Sequence, residues 1–119
     1  MITNAWCRDL GIDMGSKRTR IWRAGEGLIL EEESVAAVQV EDGKPVAFGT
    51  EAVKLLTDFK SEVLPVHPVE HGMICDVDVA AAMLKYFVWK ANQGTFLRRV
   101  RAVVGVPAEI DPVHRLALQ

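Results

Sequence analysis

The start of the chain alternates short apolar runs with glycine-containing turns, which is the pattern of antiparallel strands. Residues 10–14 form a short apolar run, and residues 19–23 form a second strand-like run. Gly25 and Gly27 supply a tight reversal into a third run at residues 28–30. We therefore predict a sheet that opens with three antiparallel strands.

A second group of strand signals follows at residues 35–40 and 46–48. Asp42-Gly43 lies between these two runs and is a common hairpin turn. Thr50 then precedes an apolar pattern that predicts a short helix, with the threonine side chain as its N-cap.

The clearest helix lies between residues 76 and 92. Either Asp76 or Asp78 is placed to cap its start, and it ends near residues 92–94. Its apolar residues recur at four-residue intervals, so one face is available for burial. The residues that we expect in the core, from this helix and from the strand that follows it, are Val79, Met83, Leu84, Phe87, Val103 and Val104.

Residues 100–106 are nearly all β-branched, which predicts a parallel strand buried on both faces beneath that helix. Asp111 and Pro112 fit the N-cap and first position of a last helix. That helix reaches Gln119 without a stop signal, so we expect the sequence to be truncated within a larger fold.

Composition narrows the class of protein. A net charge of -2 over 119 residues gives no general attraction to nucleic acid, which we do not expect as a partner. No apolar run approaches the ~20 residues that span a bilayer, and no secretory signal is visible. Cys7 and Cys75 are isolated thiols, which fits a reducing cytosol better than a disulfide scaffold.

The segment DLGIDMGSKRTRIW, residues 9–22, carries the most chemistry. An apolar strand delivers Asp13, Gly15 removes side-chain bulk at the turn, and residues 16–19 offer amides and hydroxyls. Such a hairpin suits phosphates, and a strand-end aspartate suits hydrated Mg²⁺. By itself, an Asp-x-Gly near a turn is better explained by conformation alone.

Four blocks of the sequence, in order, resemble the MreB/Mbl family of bacterial actin-like proteins. IDMGSKRTRIW resembles the family's IDLGTANT loop, and GEGLILEEESVAAV resembles its G-x-G-I-V-x-N-E-P-S-V-V-A-I segment. HPVEHGMICD resembles its R-P-M-x-D-G-V-I-A-D run, and RVRAVVGVP resembles its P-R-V-V-I-G-V-P strand. The blocks cover nearly the whole chain.

The resemblance implies an α/β fold, the N-terminal part of an actin-like, ribonuclease H-like ATPase. Residues 1–31 and 100–119 would form an incomplete core-sheet subdomain. Residues 32–75 would form a small outer subdomain, and residues 76–99 a connecting helix and loop.

The resemblance also implies a nucleotide site. Carried over by position, Asp13 falls on the aspartate that holds Mg²⁺ indirectly. The residues that fall on the phosphate-binding turn are Gly15, Ser16, Lys17, Arg18 and Thr19. Lys17 and Arg18 replace the family's alanine and asparagine. These two cations either strengthen anion binding or point outward on a solvated turn.

For the parent protein, the resemblance implies a nucleotide-dependent, filament-forming cytoskeletal protein that organises cell-wall synthesis and cell shape. ATP and Mg²⁺ would be its ligands, filament subunits its partners, and the cytoplasm its location. The family's second phosphate loop, adenine pocket and water-positioning glutamate have no counterpart here. We therefore expect no tight nucleotide binding and no hydrolysis by this chain alone, and we assign no catalytic residue.

Two alternatives stay open. The chain is a truncated structural or interaction module without nucleotide binding, or it is part of another actin-superfamily ATPase such as a kinase or chaperone.

Two other pairs of residues give weaker evidence for a functional site. His67 and His71 have helical spacing for a metal, but Pro68 lies between them and no third ligand is adjacent. Asp76 and Asp78 are better explained as helix caps than as an acid–base pair.

The loop before the last strand predicts a membrane contact. Two large apolar residues at the loop tip are followed at once by arginines, a combination that suits an anionic inner-membrane surface. The residues are Phe96, Leu97, Arg98 and Arg99. MreB-type proteins have an apolar loop at this position, so the resemblance implies the same role. The alternative is that Phe96 packs back onto the helix.

Overall fold

A computed structural model describes residues 7–93 and 99–105, and for residues 7–9 and 99–105 it describes the backbone alone. Its elements, in chain order, are β1 (Cys7–Met14), β2 (Arg18–Arg23), β3 (Gly27–Glu33), β4 (Ala36–Gln39), β5 (Pro45–Phe48), α1 (Gly49–Asp58), β6 (Val63–Val66), β7 (Val69–Glu70), β8 (Met73–Ile74), α2 (Val77–Ala91) and β9 (Arg99–Gly105).

The first sheet has the strand order β3-β2-β1-β9. β1, β2 and β3 are antiparallel neighbours. β9 lies parallel to β1, from the pair Cys7 and Arg99 to the pair Asp13 and Gly105. The predicted mixed sheet, opened by three antiparallel strands and joined by a parallel one, is confirmed.

Helix α2 and the first sheet share one apolar core. Met83 and Phe87 are both 0% exposed, as the four-residue spacing predicted. Val79 is also buried, and Leu84 is half-buried against the same core. From the sheet, the buried residues of this core are Leu10, Ile12, Met14, Ile21 and Leu30. Val103 and Val104 lie in β9, where side chains are outside the described part of the chain.

A second sheet, of order β5-β4-β6, has its own core with α1. Its strands are short, and the turn between β4 and β5 contains Gly43 at φ 71, as the Asp42-Gly43 signal predicted. The buried residues of this second core are Val35, Ala37, Ala47, Ala52 and Val63. The described residues therefore build two cores, one beneath each of their two helices.

The predicted cap of α1 is wrong. Phe48 occupies the N-cap position and makes no side-chain hydrogen bond, while Thr50 lies inside the first turn. The backbone N–H of Thr50 donates instead to Glu32 Oε1 at 2.9 Å. A carboxylate can take this role because the first N–H groups of a helix are unpaired and carry partial positive charge.

Helix α2 has the cap that the sequence predicts. Asp76, rather than Asp78, accepts a hydrogen bond from the Val79 backbone N–H at 3.0 Å. At the other end, the buried guanidinium of Arg23 donates to the Ala91 carbonyl at 2.8 Å. Both ends of the helix are thereby fixed.

Two sequence predictions fall outside the described residues. They concern the apolar loop tip at Phe96 and Leu97, and the last helix that Pro112 was expected to open. Arg98 is likewise outside, and Arg99 begins β9 with its side chain undescribed. In the described part, no helix combines the length and apolarity of a membrane span.

Candidate functional site

The turn between β1 and β2 is closed by its own backbone. The Gly15 N–H donates to the Arg18 carbonyl at 3.1 Å. A Cβ added at Gly15 would lie 2.8 Å from that same carbonyl oxygen, and backbone cannot move aside as a flexible side chain can. Glycine is therefore required here by the close approach of the Arg18 carbonyl.

The structure separates Thr19 from the other residues of the predicted turn. Thr19 is 0% exposed, and its hydroxyl lies 2.8 Å from the Ser34 hydroxyl. Alternation along β2 explains the placement, because Thr19 shares the buried face with Ile21 while its neighbours face solvent. This hydrogen bond links β2 to Ser34, the residue after β3.

Asp13 lies on the exposed face of the first sheet, directly opposite Arg20 in the register. Arg20 forms an ion pair with Glu31 at 2.5 Å. The hydrogen bond from Arg20 lowers the pKa of Glu31, and the same bond raises the pKa of Arg20, with a smaller contribution from Asp13. Asp13 is thus one member of a row of alternating charges.

A pocket of about 290 Å³ opens beside the turn. It is lined by residues of the turn, of the end of β3 and the segment after it, and of the segment after β6. These residues are Ser16, Lys17, Arg18, Glu33, Ser34, Val35 and His67. Two hydroxyls, two permanent cations and an imidazole against one carboxylate suit an anion with several oxygens.

The side chains of Lys17 and Arg18 are exposed where they line this pocket. Among residues 10–93, where side chains are described, neither side chain forms a hydrogen bond or an ion pair. Glu33 is the cross-strand neighbour of Arg18, and Glu31 is close enough for Arg18 to lower its pKa slightly. Both cations are available to an anion from solvent.

Ser16 connects the turn to a second turn. Its hydroxyl accepts a hydrogen bond from the Gly72 backbone N–H at 3.3 Å. His71 and Gly72 join β7 to β8 with φ of 52 and 74, which is the pair of positive values that a type I′ hairpin needs. Movement of one turn therefore changes a contact of the other.

Four contributors to the pocket were missed from sequence, namely Glu33, Ser34, Val35 and His67. Ser34 and Val35 directly follow β3, which pairs with β2, so the register of that hairpin brings them near the turn. No comparable local signal exists for His67, because the second sheet determines its position. In the described residues, no group of three histidine, cysteine or acidic side chains is arranged to hold a metal.

A second pocket, of about 320 Å³, lies on the outer face of α2 and is lined by Ala82, Lys85, Tyr86 and Trp89. The ring of Tyr86 lies 6.1 Å from that of Trp89 and 5.5 Å from that of Phe48. Burial raises the pKa of Tyr86, and Glu51 adds to this. This surface is mostly apolar, whereas the first pocket is lined by hydroxyl-bearing and charged side chains.

Comparison with known proteins gives a family and a fold. A family model described as MreB/Mbl protein matches residues 7–119. The cell shape-determining protein Mbl of Bacillus cereus is 32% identical over 114 residues, covering 96% of this chain and 34% of the relative. The cell shape-determining protein MreB of Pasteurella multocida is 32% identical over 123 residues, covering 99% and 35%. The chain spans about a third of the length of these curated relatives.

Solved structures agree on the fold. MreB5 of Spiroplasma citri bound to AMPPNP aligns with a TM-score of 0.72 at 19% identity, covering 98% of this chain and 34% of the other. A MamK double helical filament aligns with a TM-score of 0.70 at 22% identity, covering 94% and 36%. The described sheets and helices are thus those of the actin-like fold.

Proposed function

This chain belongs to the MreB/Mbl family, and from that premise we propose that it is the first phosphate-binding portion of a nucleotide-dependent, filament-forming protein that organises cell-wall synthesis and cell shape. The observation that carries the proposal is the pocket beside the β1–β2 turn. Its hydroxyls and unpaired cations are the groups that hold phosphate oxygens in proteins.

Several residues of the turn would contribute to phosphate binding, each in a different way. Gly15 lets the backbone approach the anion, the Ser16 hydroxyl and the local amides offer hydrogen bonds, and Lys17 and Arg18 supply charge. Thr19 would act indirectly, through its buried bond to Ser34. In this proposal, the anchored turn and its exposed cations hold the phosphate group.

Asp13 fits an indirect role toward Mg²⁺. Its carboxylate is exposed at the end of β1, and the described residues offer no cluster of ligands that would bind the ion directly. Mg²⁺ retains several waters and is commonly held by one carboxylate together with substrate phosphates. When bound, the ion would neutralise phosphate charge, and Asp13 would orient its water shell.

We propose that adenine recognition and hydrolysis require the parts of the relatives that this chain does not span. A pocket of about 290 Å³ accommodates a phosphate group more readily than a nucleotide. Phosphoryl transfer also needs metal, phosphates and attacking water to be positioned together. ATP, rather than an isolated phosphate, would be the ligand of the parent, and MreB5 with AMPPNP bound supports this.

The division of the parent into subdomains is a further part of this proposal. Residues 1–31 and 100–119 would form the core-sheet subdomain, residues 32–75 the outer one, and residues 76–99 the connection. Self-association into filaments is supported by MamK, which forms a double helical filament. The cytoplasm would be the location, with residues 96–99 meeting the inner membrane surface.

The phosphate proposal is tested by titrating Mg-ATP into residues 1–119 and following backbone amides by nuclear magnetic resonance. We expect weak binding, in the range of about a millimolar, with the largest shifts at residues 15–18. The double variant Lys17→Ala, Arg18→Ala should bind about tenfold more weakly. Lys60→Ala removes an exposed lysine elsewhere and is the matched control. Equal binding by all three proteins would contradict the proposal.

The membrane proposal needs a different assay. Sedimentation with anionic liposomes compares the assembled full-length parent with its Phe96→Ser, Leu97→Ser variant. We expect the variant to pellet less, because the two apolar side chains supply most of the insertion energy. Equal pelleting would mean that this loop is not the anchor.

One observation favours the second candidate, an interaction module without nucleotide binding. The apolar pocket at Tyr86 and Trp89 exposes aromatic surface of the kind that partners cover. If Mg-ATP shifts no amide at residues 15–18, this candidate becomes the better explanation.

A further inference from the structure

We propose that residues 48–50, at the start of α1, form a joint that fixes the angle between the two cores. When the joint opens, the cores would rotate about two short crossings of the chain. The first core contains residues of the first sheet and α2, and the second contains residues of the second sheet and α1. The inference concerns this internal contact and does not depend on what the pocket beside the β1–β2 turn binds.

Within residues 10–93 the chain passes between the two cores at two places. After β3, the buried Leu30 belongs to the first core, and the chain reaches the second core at Val35. At β6 the chain leaves the second core at Val63, and it returns to the first core at Val69. A few residues at the end of an element can absorb the backbone rotation of a hinge, so both crossings suit one.

The apolar part of the joint is the contact of the start of α1 with the first core. The Phe48 ring packs against that core, with its centroid 5.5 Å from the centroid of the Tyr86 ring. Gly49 follows with a φ of 61, and a Cβ added there would lie only 2.9 Å from Cε1 of Phe87. Glycine thus lets the backbone of α1 approach the first core closely.

A single carboxylate of the first sheet makes the polar part of the joint. Glu32 Oε1 accepts a hydrogen bond from the backbone N–H of Thr50 at 2.9 Å, where the unpaired N–H groups of the helix start favour an anion. Glu32 Oε2 lies 2.6 Å from Nζ of Lys90 in α2. Glu32 and Lys90 both belong to elements of the first core, so their ion pair holds the carboxylate in place toward α1.

Opening of the joint is compatible with a folded chain, because each core has buried apolar residues of its own. It would also change the pocket beside the β1–β2 turn. Val35 and His67 lie at the two crossings, and both line that pocket. The angle between the cores would therefore regulate the width of the pocket.

Residual dipolar couplings of backbone amides, measured by nuclear magnetic resonance on residues 1–119, report the relative orientation of the two cores. In the parent we expect a single alignment tensor to fit the amides of both cores. Glu32→Ala removes the acceptor of the Thr50 N–H, and the shared tensor should be lost while each core keeps its native chemical shifts. The reason is that motion about a hinge averages the couplings of one core relative to the other.

Two results would overturn the proposal. The first is a parent protein whose cores already need separate tensors, and the second is a folded Glu32→Ala variant that keeps the shared tensor. If Glu32→Ala does not fold, Lys90→Met decides, since the Lys90 side chain is 41% exposed and its removal leaves the Thr50 hydrogen bond in place. Loss of the shared tensor in Lys90→Met then supports the joint, and its retention overturns it.

Glu31→Gln is the matched control for the change in charge. Glu31 directly precedes Glu32, and its ion pair with Arg20 joins β3 to β2 within the first sheet. This variant should keep the shared tensor of the parent. If it loses that tensor as Glu32→Ala does, net charge rather than the joint determines the orientation, and the proposal fails. Binding of Mg-ATP is a separate measurement, so this proposal and the proposed function can each fail while the other stands.

Discussion

The carboxylate of Glu32 lies 2.6 Å from the ammonium group of Lys90, at the point where the two cores meet. Glu32 belongs to β3 of the first sheet, and its other oxygen accepts the backbone N–H of Thr50 in α1. One buried side chain thereby connects the first sheet to both helices. The pair is asymmetric, because the Glu32 side chain is 6% exposed and that of Lys90 is 41% exposed.

Removal of this carboxylate should destabilise the fold. Glu32→Ala leaves the Thr50 N–H without its acceptor and Lys90 without its partner, and we expect a loss of about 2–4 kcal/mol in the free energy of unfolding. Glu32→Gln keeps one acceptor oxygen and should lose about half as much. Urea denaturation followed by circular dichroism measures both.

Glu31→Gln is the control for this prediction. Glu31 is the preceding residue and also has a cationic partner, Arg20, but that pair is exposed to solvent. Exposed pairs contribute little, so this variant should unfold close to the parent. A loss as large as that of Glu32→Ala would show that net charge, rather than the buried connection, determines the stability.

The contribution of Lys90 to the free energy of unfolding should disappear at high pH. Its hydrogen bond with Glu32 raises the pKa of Lys90 above the ordinary value of 10.5. A raised pKa in the folded state means that the stabilisation is complete below the unfolded pKa and is lost as the pH rises through the folded one. The stability difference between Lys90→Gln and the parent should therefore be constant near neutral pH and shrink above about pH 10.5.

Burial raises the pKa of Tyr86, so this residue also titrates at alkaline pH. The stabilities of Lys90→Gln and the parent should therefore be compared in proteins that also carry Tyr86→Phe. Equilibrium unfolding at several pH values supplies the differences. If the difference in unfolding free energy between Lys90→Gln and the parent stayed constant through the alkaline range, the assigned role of Lys90 would be contradicted.

Gly49 is predicted to tolerate no side chain. Its φ is 61, and an added Cβ would collide with Glu32 and lie 2.9 Å from Cε1 of Phe87. Gly49→Ala should cost about 2–5 kcal/mol in unfolding free energy, from backbone strain and overpacking together. Gly43 has a similar φ of 71 but no atom within 4 Å, so Gly43→Ala should cost only about 1–2 kcal/mol. Equal losses would mean that the collision is relieved without cost.

The predictable parts of this fold are those encoded locally. Alternation and glycine turns predicted β1 to β3, and four-residue spacing predicted the buried face of α2. The cap of α1 was not predictable in this way, because Glu32 supplies it from 18 residues before Thr50. Thr50 satisfied the local rule for a cap, and tertiary contact overrode it.

The residues of the candidate site likewise fall into two groups, those that local sequence predicts and those that tertiary structure places. The close approach at Gly15 was predictable from the turn alone. The burial of Thr19 also had a signal, since it alternates with Arg18 and Arg20 along β2. His67 had none, because its place in the pocket depends on how the second sheet lies against the first. Local patterns predict strands and turns, and the assembly of sheets decides which turns share a site.

The last prediction concerns the turn itself. In Gly15→Ala the new Cβ would lie 2.8 Å from the Arg18 carbonyl oxygen, so the hydrogen bond that closes the turn must lengthen or break. The Ser16 to Arg18 segment would then move relative to the pocket that it lines. We expect sulfate binding to weaken about tenfold, since misplaced donors lose most of their contribution. Titration followed by nuclear magnetic resonance measures the affinity and reports the fold in the same spectra.

Gly11→Ala provides the matched control for that change. Gly11 lies within β1, its φ is not positive, and nothing in the described part of the chain stands within 4 Å of an added Cβ. It should bind sulfate as the parent does, because the strand accepts alanine without displacing the turn. If Gly15→Ala binds sulfate equally well while its sheet signals remain native, the close approach at Gly15 serves only folding. The cations of Lys17 and Arg18 would then hold an anion without a preformed turn.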